Sequence, residues 1–200
     1  MKNILLIVDP QNDFITGSLA VEGAKEKMMK LSDYINGDHP SYDYICITLD
    51  SHPKNHMSFK ENGGIWPEHC VIDTNGWNIP EYLDDAMQYA GAGKKIYFGY
   101  YHKGTEPDTE EYSIFDNCED GKTLANQIMD LIREGDVYVD VCGIAGDYCV
   151  LETLKGLRKY IGDNYINILW DYTASIDGGI KLFDYAKLNE INIVSELIKE

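Results

Sequence analysis

The sequence predicts an α/β protein: a six-stranded, mainly parallel sheet in three layers, with helices on both faces. Three observations predict it. Short apolar, β-branched or aromatic runs alternate along the chain with segments of helical period. The first two runs, KNILLIVD and YICITL, are continuously apolar, as strands buried on both faces are, rather than alternating. The chain has 200 residues, 44% of them hydrophobic, enough for one good core, so residues 1–200 are expected to form a single domain.

Each element has its own reason. Lys2 to Asp9 is the first strand, closed by Pro10, and Asp9 stands at its C-terminal edge, where open α/β sheets bind ligands. Gln11 to Leu19 reads as loop. Ala24 to Ile35 carries Met28, Leu31 and Ile35 on one face, as a crossover helix. Tyr44 to Leu49 is the second strand and again ends in an acid, Asp50, before a loop holding His52, His56 and His69. Glu81 to Tyr89 reads as a helix, and Lys95 to Tyr101 as an aromatic third strand ending at His102-Lys103. Gly121 to Glu134 places Leu124, Ile128, Leu131 and Ile132 on a helical face closed by Gly135. The fourth strand is Val137 to Cys142, the fifth Ile166 to Trp170 and the sixth Ile191 to Ser195, with Ile180 to Leu188 a helix between the last two.

The fourth strand's run stops at Gly143, a small-residue turn Ile144-Ala145-Gly146 follows, and then Asp147 stands at the place of a helix N-cap. Val150, Leu154, Leu157 and Ile161 form a one-sided apolar stripe, with Gly162 as a left-handed stop. Cys149 therefore falls in the first helical turn. Unpaired backbone N–H groups there favour thiolate over thiol and can receive a developing oxyanion. The arrangement is a strand-to-helix nucleophile elbow built with sulfur. A cysteine is more often a small buried hydrophobe. What argues for chemistry here is convergence: Asp9, Asp50, Lys103 and the Cys149 elbow all fall at C-terminal strand ends, hence on one edge of one sheet.

Asp50-Ser51-His52 puts two potential metal ligands on one face of an extended segment, and His69 can supply a third. Such a set leaves open positions for water or substrate, as catalytic zinc and iron sites do. His56 is a spare candidate, and Cys70 is either a soft ligand or an inward-packing residue.

Composition narrows the partners. A formal charge of −17, from 17 basic and 34 acidic residues, repels nucleic acid and anionic membranes. The run Ile4 to Val8 is too short for a signal peptide or a membrane span, and five irregularly spaced cysteines read as free thiols. Both features lead us to expect a cytoplasmic protein. Self-association is left open by the sequence.

Five stretches carry a resemblance: VDPQNDFITGSLAV (8–21), TLDSHPKNHMSF (48–59), IWPEHCV (65–71), YHKGTEPDTEEYSIFD (101–116) and VCGIAGDYCVLET (141–153). In their content and order the chain resembles the nicotinamidases and pyrazinamidases of the isochorismatase-like cysteine hydrolases, a Rossmann-like fold family. The resemblance implies Asp9, Lys103 and Cys149 as catalytic triad and Asp50, His52 and His69 as ligands of one divalent metal ion, zinc before iron or manganese, with Ser58 or His56 contributing through water. It further implies a cis Ile144-Ala145 peptide, the Ala145 and Cys149 amides as oxyanion hole, and Phe14, Trp66 and Tyr112 as walls around a planar heterocycle. The implied activity is hydrolysis of a small carboxamide, nicotinamide to nicotinate and ammonia in NAD salvage, through a Cys149 thioester. The alternatives are a metal-free isochorismatase-like hydrolase of another amide or enol ether, and a non-catalytic ligand-binding relative. The chain departs from the family at Ile72-Asp73-Thr74, where a Gln-Gly-Thr-like turn is usual, and at Gly146, where threonine is common.

Overall fold

The structure, a computed structural model, describes residues 1–37, 42–91, 96–116 and 118–196. The strands are β1 (Lys2–Val8), β2 (Tyr44–Asp50), β3 (Tyr97–Lys103), β4 (Val137–Ile144), β5 (Ile166–Ala174) and β6 (Asn192–Val194). They make one sheet in the order β3-β2-β1-β4-β5-β6, with every pairing parallel. The helices are α1 (Asn12–Ile15), α2 (Ala24–Asn36), α3 (Glu81–Gly91), α4 (Glu119–Glu134), α5 (Leu151–Leu157) and α6 (Ile180–Leu188).

The period of two along the strands sorts the core into two layers. Leu5, Ile7, Ile45, Ile47 and Leu49 pack with α1, α2 and α3, whereas Ile4, Leu6, Val8, Val139 and Val141 pack with α4, α5 and α6. Strand order reverses between β1 and β4. This switch point opens a crevice beyond the carboxyl ends of the strands, the general ligand position in open α/β sheets. Asp9 follows β1 there and Cys149 follows β4. No helix among the described residues is long and apolar enough to cross a membrane.

Several boundaries differ from expectation, for one physical reason. A ladder continues as long as its partner offers hydrogen bonds, whatever the polarity of the residues. Thus β3 runs on through His102 and Lys103, paired with Leu49 and Asp50, β4 runs to Ile144 and β5 to Ala174. Lys95 lies outside the described residues. The segment expected as loop holds the short α1, which buries Phe14 and Ile15.

The elbow is also built differently. Ala145, extended at φ −92° and ψ 140°, takes the cap position, and its carbonyl accepts from Tyr148 N at 3.1 Å and Val150 N at 3.0 Å. The latter bond spans five residues, so Gly146–Val150 is one π-helical turn before α5. Asp147 does not cap it. Its carboxylate turns away to accept from Ile176 N at 2.8 Å, tying the elbow to the segment after β5. Gly162 is extended at φ −70°, so it is no left-handed stop. α5 ends earlier, where the Arg158 guanidinium grips Asp163 through Nε and Nη2 at 2.5 and 2.8 Å.

The expected stripe Val150, Leu154, Leu157 and Ile161 is buried throughout and seats the elbow on the sheet. Leu154 is wholly buried. Leu154→Ala is expected to cost about 2–5 kcal/mol in urea unfolding, through lost transfer energy and the cavity left under Cys149.

Candidate active site

Four strand ends supply the site. Lys103, the last residue of the edge strand β3, turns its side chain inward to become fully buried. Its ammonium lies 2.9 Å from Asp9 Oδ2, 2.9 Å from Asp50 Oδ1 and 3.7 Å from Cys149 Sγ. A buried cation is tolerable only when paired, and here two carboxylates meet it. Burial works against the charge on Lys103, yet Asp50 and Asp9 hold its pKa well above the ordinary lysine value.

The two acids behave oppositely. Burial would raise Asp50, but His52 and Lys103 hold its carboxyl well below the usual range. At Asp9 burial prevails and pushes the pKa up, with Lys103 opposing and the Asp50 charge reinforcing. Asp9 Oδ1 accepts from Thr48 Oγ1 at 2.6 Å, while Oδ2 faces the lysine without hydrogen-bond geometry to any partner. The pair is thus a spectator carboxylate beside a carboxylate that can take a proton.

The thiol corrects an expectation. Sequence position alone favours thiolate at Cys149, but burial raises its pKa well above the free-thiol value; Lys103 opposes this, and the neighbouring carboxylates Asp9 and Asp50 add to it. Cys149 rests as a thiol, because a buried site containing two acids and one lysine disfavours a third negative charge. Its proton needs a base, and Asp9 is the adjacent one.

The Asp/His cluster forms as the spacing suggests. His52 sits on an extended residue bridged to Val71, and its Nε2 lies 3.0 Å from Asp50 Oδ2; His69 Nε2 lies 3.5 Å from the same oxygen. One donor atom from each residue falls within 4.8 Å of the other two, and all three residues are buried. The second ring nitrogens are engaged elsewhere. His52 Nδ1 meets Gly104 O at 2.9 Å and His69 Nδ1 meets Pro67 O at 2.8 Å. A carbonyl can only accept, so each Nδ1 carries a proton, and Nε2 is the nitrogen that each ring turns toward Asp50 and could give to a shared ion. This is the arrangement expected of metal-ligating histidines, and the donor set fits a divalent cation.

His56 stands outside the cluster. It stacks on His52 with ring centroids 3.9 Å apart, and its nitrogens meet Ser58 Oγ and Thr109 O. Cys70 packs inward, fully buried, its amide held by Asp13 at 2.8 Å.

Phe14, Trp66 and Tyr112 line one narrow cavity of about 30 Å³ together with Asp50, His69, Ala145 and Cys149. Sequence reasoning missed Tyr148, Glu110 and Ile176 in the same wall. Trp66 donates from Nε1 to Tyr112 Oη at 3.1 Å and meets Tyr148 edge-on at 5.3 Å, so the three rings brace one another. Only adjacency to Cys149 hinted at Tyr148. The period of two placed Thr48 on the same face of β2 as Asp50, the one signal for the partner of Asp9. The Ile144-Ala145 peptide is cis, as the resemblance implies. At Gly146 a Cβ would fall 2.1 Å from Ser175 Oγ, so the end of β5 fills the space a threonine would need.

Comparison with known proteins agrees with this geometry. No protein-family model matches the chain. A nicotinamidase/pyrazinamidase of Mycobacterium tuberculosis is 35% identical over 181 aligned residues, covering 86% of this chain and 86% of that one. Among solved structures, the pyrazinamidase of Pyrococcus horikoshii in complex with zinc is 29% identical, with a TM-score of 0.71 over 98% of this chain and 99% of its own. PnC1 from L. infantum, in complex with nicotinate, is 27% identical, with a TM-score of 0.80 over 98% and 93%. Likeness that extends through both sequence and fold for nearly the whole chain places it: the protein belongs to the nicotinamidase/pyrazinamidase family of amidohydrolases.

Proposed function

We propose that this protein hydrolyses nicotinamide to nicotinate and ammonia through a Cys149 thioester. The observation that carries the reading is that the Cys149 thiol opens into one aromatic-walled cavity with Asp50 and His69 of the Asp/His cluster, while the base Asp9 is buried on Lys103 beside the thiol. The cavity is walled by flat rings, which suits a planar heterocycle. Relatives solved with zinc and with nicotinate support the choice of metal and of product.

In the proposed reaction Asp9 accepts the Cys149 proton as Sγ bonds to the carboxamide carbon. Lys103 offsets the negative charge as it shifts from Asp9 to sulfur and on to the carboxamide oxygen. The amides of Ala145 and Cys149 receive the oxyanion. Asp9 then returns its proton to the leaving nitrogen, the C–N bond breaks and ammonia departs. A water that gives its proton to Asp9 attacks the thioester carbon, the C–S bond breaks, and the proton passes to sulfur as nicotinate is released. Asp50, His52 and His69 would hold a zinc ion, which would supply a Lewis acid to orient the substrate. Phe14, Trp66 and Tyr112 hold the ring in plane.

Such a reaction recycles a pyridine carboxamide, and this supports a role in NAD salvage as part of the reading. Five free cysteines, four of them buried, support a reducing, cytoplasmic setting.

The reading is tested by ammonia release from nicotinamide with zinc quantified on the same sample. His52→Ala is expected to weaken zinc binding by more than about 100-fold, since even the partners of a ligand matter by 10–100-fold, and to raise KM with it. Wild-type protein that carries zinc but releases no ammonia from nicotinamide would refute the substrate assignment.

A further inference from the structure

β3 is an edge strand, with β2 on one side only. The carbonyl of Lys103 faces β2 and accepts from Ser51 N at 2.9 Å. The amides of the residues on either side of Lys103 face the open edge, where an unmatched N–H would go unpaired or invite another strand. Two carboxylates meet them instead. His102 N donates to Asp120 Oδ2 at 2.7 Å, and Gly104 N donates to Glu111 Oε2 at 2.9 Å.

The second of these bonds reaches further than the strand edge. Glu111 is only 5% exposed, unusual for a glutamate with no cation paired to it among the described ion pairs. Gly104 sits in the left-handed region at φ +65°, and a Cβ there would come within 2.5 Å of His52 Cε1 and 3.1 Å of Asp50 Oδ1. In this tight turn the Gly104 carbonyl accepts from His52 Nδ1 at 2.9 Å. The peptide between Lys103 and Gly104 is thus held by Glu111 at its N–H, while the carbonyl one bond sequence further on fixes a histidine of the Asp/His cluster.

We propose that Glu111 is a positioning residue for both halves of the site: through the Gly104 turn it fixes the His52 ring for metal and the end of the strand that delivers Lys103 between Asp9 and Asp50. Charge on Glu111 is incidental; the bond to the Gly104 amide is what acts. This rests on the proposed function for its catalytic consequence, but not for its effect on metal binding.

The test compares Glu111→Ala, Glu111→Gln and Glu111→Asp in the full chain. Zinc affinity is read by chelator competition, and Gly104 amide exchange is read by NMR on the metal-free protein. Gln keeps an oxygen at the same reach and is expected to retain zinc affinity and Gly104 protection. Ala is expected to weaken zinc binding about 10–100-fold, to speed Gly104 exchange and to lower kcat more than it raises KM. Asp keeps the charge but withdraws the oxygen by one methylene, so it should resemble Ala; should Ala fail to fold, the Gln and Asp pair gives the same comparison. Wild-type zinc affinity and Gly104 exchange in Ala or in Asp would overturn the proposal, as would a Gln variant as weak as Ala. If the wild type binds zinc yet leaves nicotinamide intact, the functional reading fails while the zinc and exchange measurements still decide the role of Glu111.

Discussion

Cys149→Ala is expected to lower kcat for nicotinamide hydrolysis by about 10⁴-fold or more, the scale on which removal of a covalent nucleophile acts. The thiol is 6% exposed and stands 3.7 Å from the Lys103 ammonium. Replacing it removes one sulfur and leaves the elbow backbone, the π-helical turn and the Asp/His cluster untouched. Zinc content and unfolding midpoint should therefore stay near wild type while ammonia release disappears. An alanine variant that keeps more than a few per cent of the activity would exclude the thioester route.

Lys103→Met is expected to destabilise the metal-free protein by about 3–5 kcal/mol, because removing one partner of a buried ion pair strands the other. Met keeps most of the buried stem, so the loss falls on the charge rather than on packing. What remains is Asp9 facing Asp50 in a site closed to water. The pH dependence follows from the direction at Asp9, where burial already holds the carboxyl above its ordinary value against the pull of Lys103. Without the lysine the folded value rises further. A group whose folded pKa exceeds its unfolded one stabilises at low pH and loses that contribution as pH rises through the folded value. The deficit of the variant should thus be smallest in acid and grow toward neutral pH, as read from urea midpoints at several pH values. Equal stability of variant and wild type at neutral pH would show that the carboxylates are paired by something other than Lys103.

Most of the frame was legible in the chain. Apolar runs gave the strands, and helical stripes such as Met28-Leu31-Ile35 gave the crossovers, because burial of one face imposes a period on the residues that do it. The strand-end acids and the Asp50-Ser51-His52 spacing were legible for the same reason. Alternation along an extended chain is a local property, and it put both ligands on one side before any tertiary contact was known. The cavity walls were half legible: Phe14, Trp66 and Tyr112 came with a recognisable motif, whereas Tyr148 and Ile176 reach the cavity only because a π-helical turn and the end of β5 carry them there.

What the sequence determined by itself is therefore the sheet, its helices and the groups that end its strands, since these follow from periodicity and short-range backbone chemistry. Tertiary structure alone decided the protonation of the site. A dipole argument made Cys149 a thiolate; burial beside Asp9 and Asp50 makes it a thiol. It also decided the support given by Asp120 and Glu111 to the edge of β3 and the turning away of Asp147 from the elbow. Each of these depends on desolvation and on charges and donors that lie close in space, and no spacing along the chain encodes which distant groups will share one dry site.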